Sequence, residues 1–137
     1  MTAVMSEIVV DAADALAQAR WWGEVLGWTV QTDDEEPGLA AIEPPGGPGA
    51  GLTVLFAQVP EAKTVKNRLH LDVRPADGTT QEDELARLLA LGATPVDVGQ
   101  GDAPWHVLAD PEGNEFCLLR RTPSEVAAIL AEQAPAT

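Results

Sequence analysis

One short stretch carries residues able to move protons and charge: Arg68, His70 and Asp72 alternate with Leu69, Leu71 and Val73. A period of two puts the polar three on one face of a strand over residues 66–74 and the apolar three on the other. An imidazole oriented by a carboxylate is a general acid or base near neutral pH, and a guanidinium is a bidentate clamp for a carboxylate or phosphate. The plainer reading is a histidine satisfied within the fold. Cys117 sits between Phe116 and Leu118, which take the opposite strand face. As a nucleophile it needs a nearby positive charge such as Arg68; otherwise it is a small buried apolar group. Trp105 offers a flat apolar wall to a planar ligand, and His106, next in line, must point the other way. Lys63 and Lys66 lie close together in an acidic chain and keep an anionic ligand open. Trp21 and Trp22, followed by Val25 and Leu26 at helical spacing, read as core.

The elements that position these groups come from a chain of 137 residues with 22 acidic against 8 basic side chains and a net charge of −14. That length fits one compact domain, and that charge repels phosphate backbones and anionic lipid, so nucleic acid and membrane are excluded as first partners. Neither a signal-peptide pattern nor an apolar run of membrane-spanning length is present, which gives a cytoplasmic expectation. A single cysteine excludes an internal disulfide and a cage of several thiolates.

Residues 5–11 read as a strand, Asp14 as the N-cap of a helix over residues 15–26, and Gly27 as its stop. Short strands follow at 28–32 and 39–43 around the acidic turn 33–38, and a longer one at 52–59 after the Pro/Gly-rich breaker 44–49. Beyond the strand at 66–74, Thr79 with Glu82 forms a capping box for a second helix bearing Leu85, Leu88 and Leu89, which Gly92 ends. Strands at 94–98, 105–109 and 115–120 complete a second half in the order of the first. Val10-Asp11-Ala12 is echoed by Leu71-Asp72-Val73, and Leu26-Gly27 by Leu91-Gly92. The economical reading is two βαβββ modules, 4–60 and 66–121, followed by a terminal helix over 122–132 with Thr122, Pro123 and Glu125 at its start.

The strand-helix-Leu-Gly pattern, the segment Lys66-Asn67-Arg68-Leu69-His70-Leu71-Asp72 and the ending Asp110-Pro111-Glu112-Gly113-Asn114-Glu115-Phe116 together resemble the vicinal oxygen chelate superfamily. Within it the chain is similar to glyoxalase-like and bleomycin-resistance-like proteins. The resemblance implies an α+β fold in which both modules form a cupped mixed sheet, often in a homodimer, with a divalent metal held from the first and fourth strands of each module. Set on this chain, the family's spacing assigns those places to Glu7, to Thr53 or Leu55, to Arg68 and to Cys117. A guanidinium has no lone pair to give a cation, so the resemblance carries the expectation that the usual metal site is absent. A displaced site from Glu7, His70 and Cys117 is the alternative.

The sequence therefore reads as a single glyoxalase-like domain over 1–137 with a small-molecule pocket lined by Glu7, Arg68, Trp105 and Cys117, expected to take a planar or acidic metabolite without a cofactor. Two alternatives accompany it: a metal-independent lyase or isomerase using His70 and Arg68, and a metal enzyme with the displaced site.

Overall fold

A computed structural model describes residues 1–135 of the chain, which divide into two compact units, the first Met1–Thr64 and the second from Val65 onward. Unit one runs β1 (Glu7–Ala12), α1 (Ala15–Leu26), β2 (Thr29–Thr32), β3 (Leu39–Glu43) and β4 (Thr53–Gln58). Unit two runs β5 (Asp72–Val73), α2 (Gln81–Ala90), β6 (Thr94–Pro95), β7 (His106–Ala109), β8 (Glu115–Leu118) and α3 (Pro123–Gln133). Each unit has its own four-stranded mixed sheet, in the orders β1-β4-β3-β2 and β5-β8-β7-β6. The first and last strands of each unit pair in parallel and the remaining pairs are antiparallel. This is the α+β pattern of paired βαβββ modules with a terminal helix.

Local chemistry accounts for α1. Asp14 accepts the amide of Ala17 at 3.0 Å, satisfying one of the donors a helix start leaves orphaned, and Gly27 closes the helix in the left-handed region at φ 67°. Ala15, Ala19 and Trp22 bury against the sheet face that carries Ala40, Ile42, Val54 and Phe56. At Gly23 an added Cβ would stand 3.1 Å from the Trp28 carbonyl oxygen and 3.2 Å from Val30, so a larger residue would have to push helix and strand apart by a few tenths of an ångström. Trp21 and Trp22 meet edge to face with centroids 5.1 Å apart, Trp22 buried and Trp21 half-buried. In unit two Phe116, Leu118, Leu108 and Leu88 are fully buried.

Three expectations are corrected. The strand expected over 66–74 is a strand only at Asp72–Val73. Residues 66–71 run beside β8 without a full ladder: Cys117 donates its amide to the Leu71 carbonyl at 3.1 Å, but further back the bonds go to side chains. The Asn67 amide binds Glu115 Oε2 at 2.9 Å, and Asn67 Nδ2 binds Asn114 Oδ1 at 3.2 Å. Side-chain acceptors have replaced the strand partner, so the alternation no longer dictates facing, and Leu69 ends 92% exposed. Likewise α2 is capped by Thr80, whose side chain accepts the amide of Asp83, while the Thr79 hydroxyl donates to Ala76 O at 2.8 Å. The strand expected over 94–98 stops at Pro95, and Gln100 takes up the next segment by binding Val98 N at 2.8 Å and Val96 O at 3.1 Å.

The terminal helix begins as its sequence requires. Thr122 and Glu125 form a reciprocal capping box with Pro123 in the first turn. Asp77 adds a second acceptor, taking the Ser124 amide at 2.9 Å and its hydroxyl at 2.7 Å.

Candidate functional site

Unit two holds a cavity of about 430 Å³ lined from β8 by Glu115, Phe116 and Cys117. Its walls are mostly apolar, from Val98, Trp105, Val107 and Leu119, with Gly99 and Gln100 contributing from the loop after β6. The polar lining is Lys66, His70, Asp72, Glu115 and Cys117, of which His70, Asp72 and Cys117 stand together. An apolar body with a few convergent polar groups is the ordinary composition of a small-molecule site.

The polar cluster is assembled by strand pairing. Asp72 and Cys117 stand directly across the parallel β5–β8 pair and so share a face, and Val107 continues the row across the antiparallel β7–β8 pair. His70, two residues before Asp72, turns its Nδ1 to within 3.0 Å of Asp72 Oδ1. One ligating atom each from His70, Asp72 and Cys117 lies within 4.8 Å of the others. Asp72 is the hub of this trio, accepting from the imidazole on one side and facing the Cys117 thiol across the ladder on the other. Burial pushes the Cys117 thiol up from its ordinary value of 9.0, and the Asp72 charge and hydrogen bond act in the same direction, with Lys66 opposing. The cysteine therefore stands as a thiol rather than as an activated nucleophile.

A clamp fixes the segment bearing Lys66 and His70. Asn67 is bonded to Glu115 and Asn114, and Asn114 in turn donates to the Asp110 carboxylate from its amide at 3.0 Å and from its side chain. Asp110 is buried, and its Oδ1 also accepts the Glu112 amide at 2.9 Å, so the turn joining β7 to β8 is locked from inside. Sequence marks Asp110 to Asn114 as a turn but carries no signal for the bonds that Asn114 and Glu115 make to Asn67, which link residues 47 and 48 positions apart.

The structure brings together His70, Trp105 and Cys117 from the expected site residues, together with Lys66. It adds Asp72, which sequence reading cast only as a partner for His70 and which proves to touch both reactive groups. Arg68 is exposed and is not among the residues lining this cavity. Glu7 belongs to unit one, at the head of β1, where its carboxylate accepts the Ser6 hydroxyl. Lys63, half-buried, and the exposed His106 are likewise outside the cavity lining, and Trp105 is 40% exposed at its rim.

The ladders also correct the internal repeat. Val10 pairs with the buried Phe56 in unit one and Val73 with the buried Leu118 in unit two. Counting three residues back from each valine equates Glu7 with His70, not with Arg68. The Leu-Asp echo in the sequence had slid the register by two, because only the buried partners distinguish the two alignments. The guanidinium on which the expected loss of the metal rested thus stands away from the ligand place.

The donor set can be tested against a divalent cation. With metal–ligand bonds of about 2.0–2.3 Å, donors around one tetrahedral ion stand about 3.5 Å apart; His70 Nδ1 and Asp72 Oδ1 at 3.0 Å would part slightly, and no separation in the trio, all within 4.8 Å, has far to close. His70 and Asp72, with side chains 41% and 43% exposed, have the freedom to adjust. The residues fit such an ion.

The glyoxalase-like domain family matches the chain over residues 7–119. No curated protein matches it in sequence. Among solved structures it is similar to the fosfomycin resistance protein FosX of Mesorhizobium loti, at 16% identity and TM-score 0.61, covering 93% of this chain and 99% of that one. A FosX of Listeria monocytogenes, complexed with Mn(II) and sulfate, aligns at 14% identity and TM-score 0.60 over 95% and 99% of the two chains. A glyoxalase/bleomycin resistance protein/dioxygenase family enzyme of Burkholderia phytofirmans aligns at 19% identity and TM-score 0.59 over 82% and 94%. At these identities the likeness is one of fold, and together with the family match it shows that this chain belongs to the glyoxalase-like domain family of the vicinal oxygen chelate superfamily.

Proposed function

We propose that the unit-two cavity binds a small planar molecule, its ring laid along Trp105, Val107 and Leu119 and its polar end held by His70, Asp72 and Lys66. The cavity of about 430 Å³, mostly apolar in its lining with His70, Asp72 and Cys117 clustered in its wall, carries this reading. That volume suits a ligand of one or two rings, and desolvating its apolar body supplies most of the driving force. An acidic group on the ligand would meet Lys66 and the imidazole, in place of the Arg68 clamp expected from sequence. His70, held through Nδ1 by Asp72, keeps Nε2 for proton exchange with the ligand, which is the route by which the same site would act as a lyase or isomerase.

A second reading is favoured by the trio itself: His70, Asp72 and Cys117 hold a divalent metal beside the bound molecule. A metal there would supply a Lewis acid to polarise a ligand oxygen. The manganese in the Listeria FosX is in keeping with this reading. Homodimer assembly and a cytoplasmic location are part of the proposal. Among the described residues no helix is long and apolar enough to cross a membrane.

The test is a panel of aromatic carboxylates and neutral aromatics titrated into chelator-treated protein, followed by calorimetry. Saturable binding that weakens about tenfold or more in Trp105→Ala and is kept in Arg68→Ala is expected. Binding that depends on Arg68 and not on Trp105 would place the ligand elsewhere and sink the proposal.

A further inference from the structure

We propose that the trio in unit two selects a thiophilic divalent cation, of the zinc or cobalt(II) kind, over hard cations such as manganese or magnesium, and that Cys117 makes this choice. The inference rests on the metal-bound reading of the cavity and names the class of metal. Its three donors are chemically unlike: an imidazole nitrogen, one carboxylate oxygen and one sulfur, all within 4.8 Å. Manganese and magnesium favour several oxygen donors in near-octahedral order, whereas zinc and cobalt(II) accept nitrogen and sulfur in four-coordinate sites. One carboxylate among three donors leaves a hard cation poorly served.

The fold fixes this set more firmly than a surface cluster would. Asp72 and Cys117 are register partners on adjacent strands, so their separation follows from the β5–β8 ladder, with Cys117 N bonded to Leu71 O and Leu119 N to Val73 O at 2.7 Å. His70 is carried by the segment that Asn67 clamps to β8. On binding, the Cys117 sulfur forms a bond to the metal and releases its proton to solvent, while the imidazole binds as its neutral form. The three donors and the apolar Val98, Val107 and Trp105 line one cavity, so a ligand oxygen or water there would be available to complete the shell of a metal held by the trio.

The experiment uses the full chain stripped with a chelator and loaded with cobalt(II) chloride. A sulfur-to-cobalt charge-transfer band in the near ultraviolet, growing to one equivalent and absent in Cys117→Ser, is the expected result. Competition calorimetry gives the second readout: zinc is expected to outbind manganese by at least about a hundredfold in the wild type, and Cys117→Glu to shrink that ratio by about tenfold or more. Circular dichroism on each variant establishes that it is folded, and Cys117→Ser differs from wild type by one atom. Cobalt binding without the band, or a zinc-to-manganese ratio unchanged in Cys117→Glu, overturns the selectivity. If neither wild type nor Cys117→Glu takes up any of these metals, the metal-bound reading falls with it, while ligand binding by chelator-treated protein would still stand.

Discussion

The two sheets have the same strand order, and the same lattice row crosses each: Val9–Leu55–Ala41 in unit one and Asp72–Cys117–Val107 in unit two. Both rows lie on the face away from the buried Val54 and Phe56, or Phe116 and Leu118. In unit one the row is aliphatic, and a methyl-lined surface can bind only by burial. In unit two the first two places are a carboxylate and a thiol, with His70 reaching the carboxylate. A cavity in unit one, about 390 Å³ and lined by Arg20, Glu24, Trp28 and Val30, lies instead at the C-terminal end of α1. One architecture thus yields a passive face and a reactive one through two side-chain choices on paired strands, which is why fold alone does not assign function.

Erasing that difference should have the largest effect. Asp72→Val combined with Cys117→Leu gives the first two places of unit two's row the residues of unit one's, and cobalt uptake is expected to disappear and binding of an acidic ligand to weaken about tenfold. Stability should not fall, because an interacting polar pair is replaced by apolar residues together. A double variant that still binds metal or ligand with wild-type affinity would show that the row is not what separates the two units.

A smaller effect is expected at the clamp, which unit one builds differently because its β1 pairs with β4 along six residues and needs no side-chain substitute. Asn67→Ala removes the bond to Asn114 while keeping the backbone bond to Glu115, at a cost of about 1 kcal/mol in denaturant unfolding. Its sharper signature is broadening of the His70 imidazole resonances, since the segment carrying that ring is then held at fewer points. Glu115→Ala, which strands the Asn67 amide, should cost more than Asn67→Ala; the reverse order would refute the clamp.

The smallest effects are in pH. The folded state holds Cys117 above its ordinary value of 9.0, so its contribution to stability is fully present below that value and is lost as pH rises through the folded pKa. Alkylation by iodoacetamide at pH 8 should accordingly be slower than for a free thiol, and Asp72→Asn should speed it several-fold. Asp77 runs the other way: its bonds to the Ser124 hydroxyl and amide lower its pKa from 3.8, so the contribution is present above 3.8 and lost as pH falls through the folded value. Hydrogen exchange in the first turn of α3 should rise on acidification in wild type and be less pH-dependent in Asp77→Asn.

Much of this architecture could be read from the chain alone, because it depends on neighbours in sequence. Asp14 and Gly27 bound α1, Thr122 and Glu125 start α3, and Leu39–Glu43 alternates as a half-buried strand, each through contacts spanning a few residues. The family resemblance, and with it the paired-module fold, rested on motifs of this local kind. His70, Trp105 and Cys117 were also legible as candidates from residue type and strand parity. What the chain could not determine was register. Whether Arg68 or His70 occupies the place matching Glu7 depends on which residue of β8 lies beside Val73, a partner 45 residues away. Whether 66–71 forms a strand depends on side chains of Glu115 and Asn114 competing for its backbone. Because strand side chains alternate with a period of two, such long-range pairings decide which face a group takes and what it meets. Composition and spacing supplied the donors, but only the tertiary ladder put Asp72 between a histidine and a cysteine.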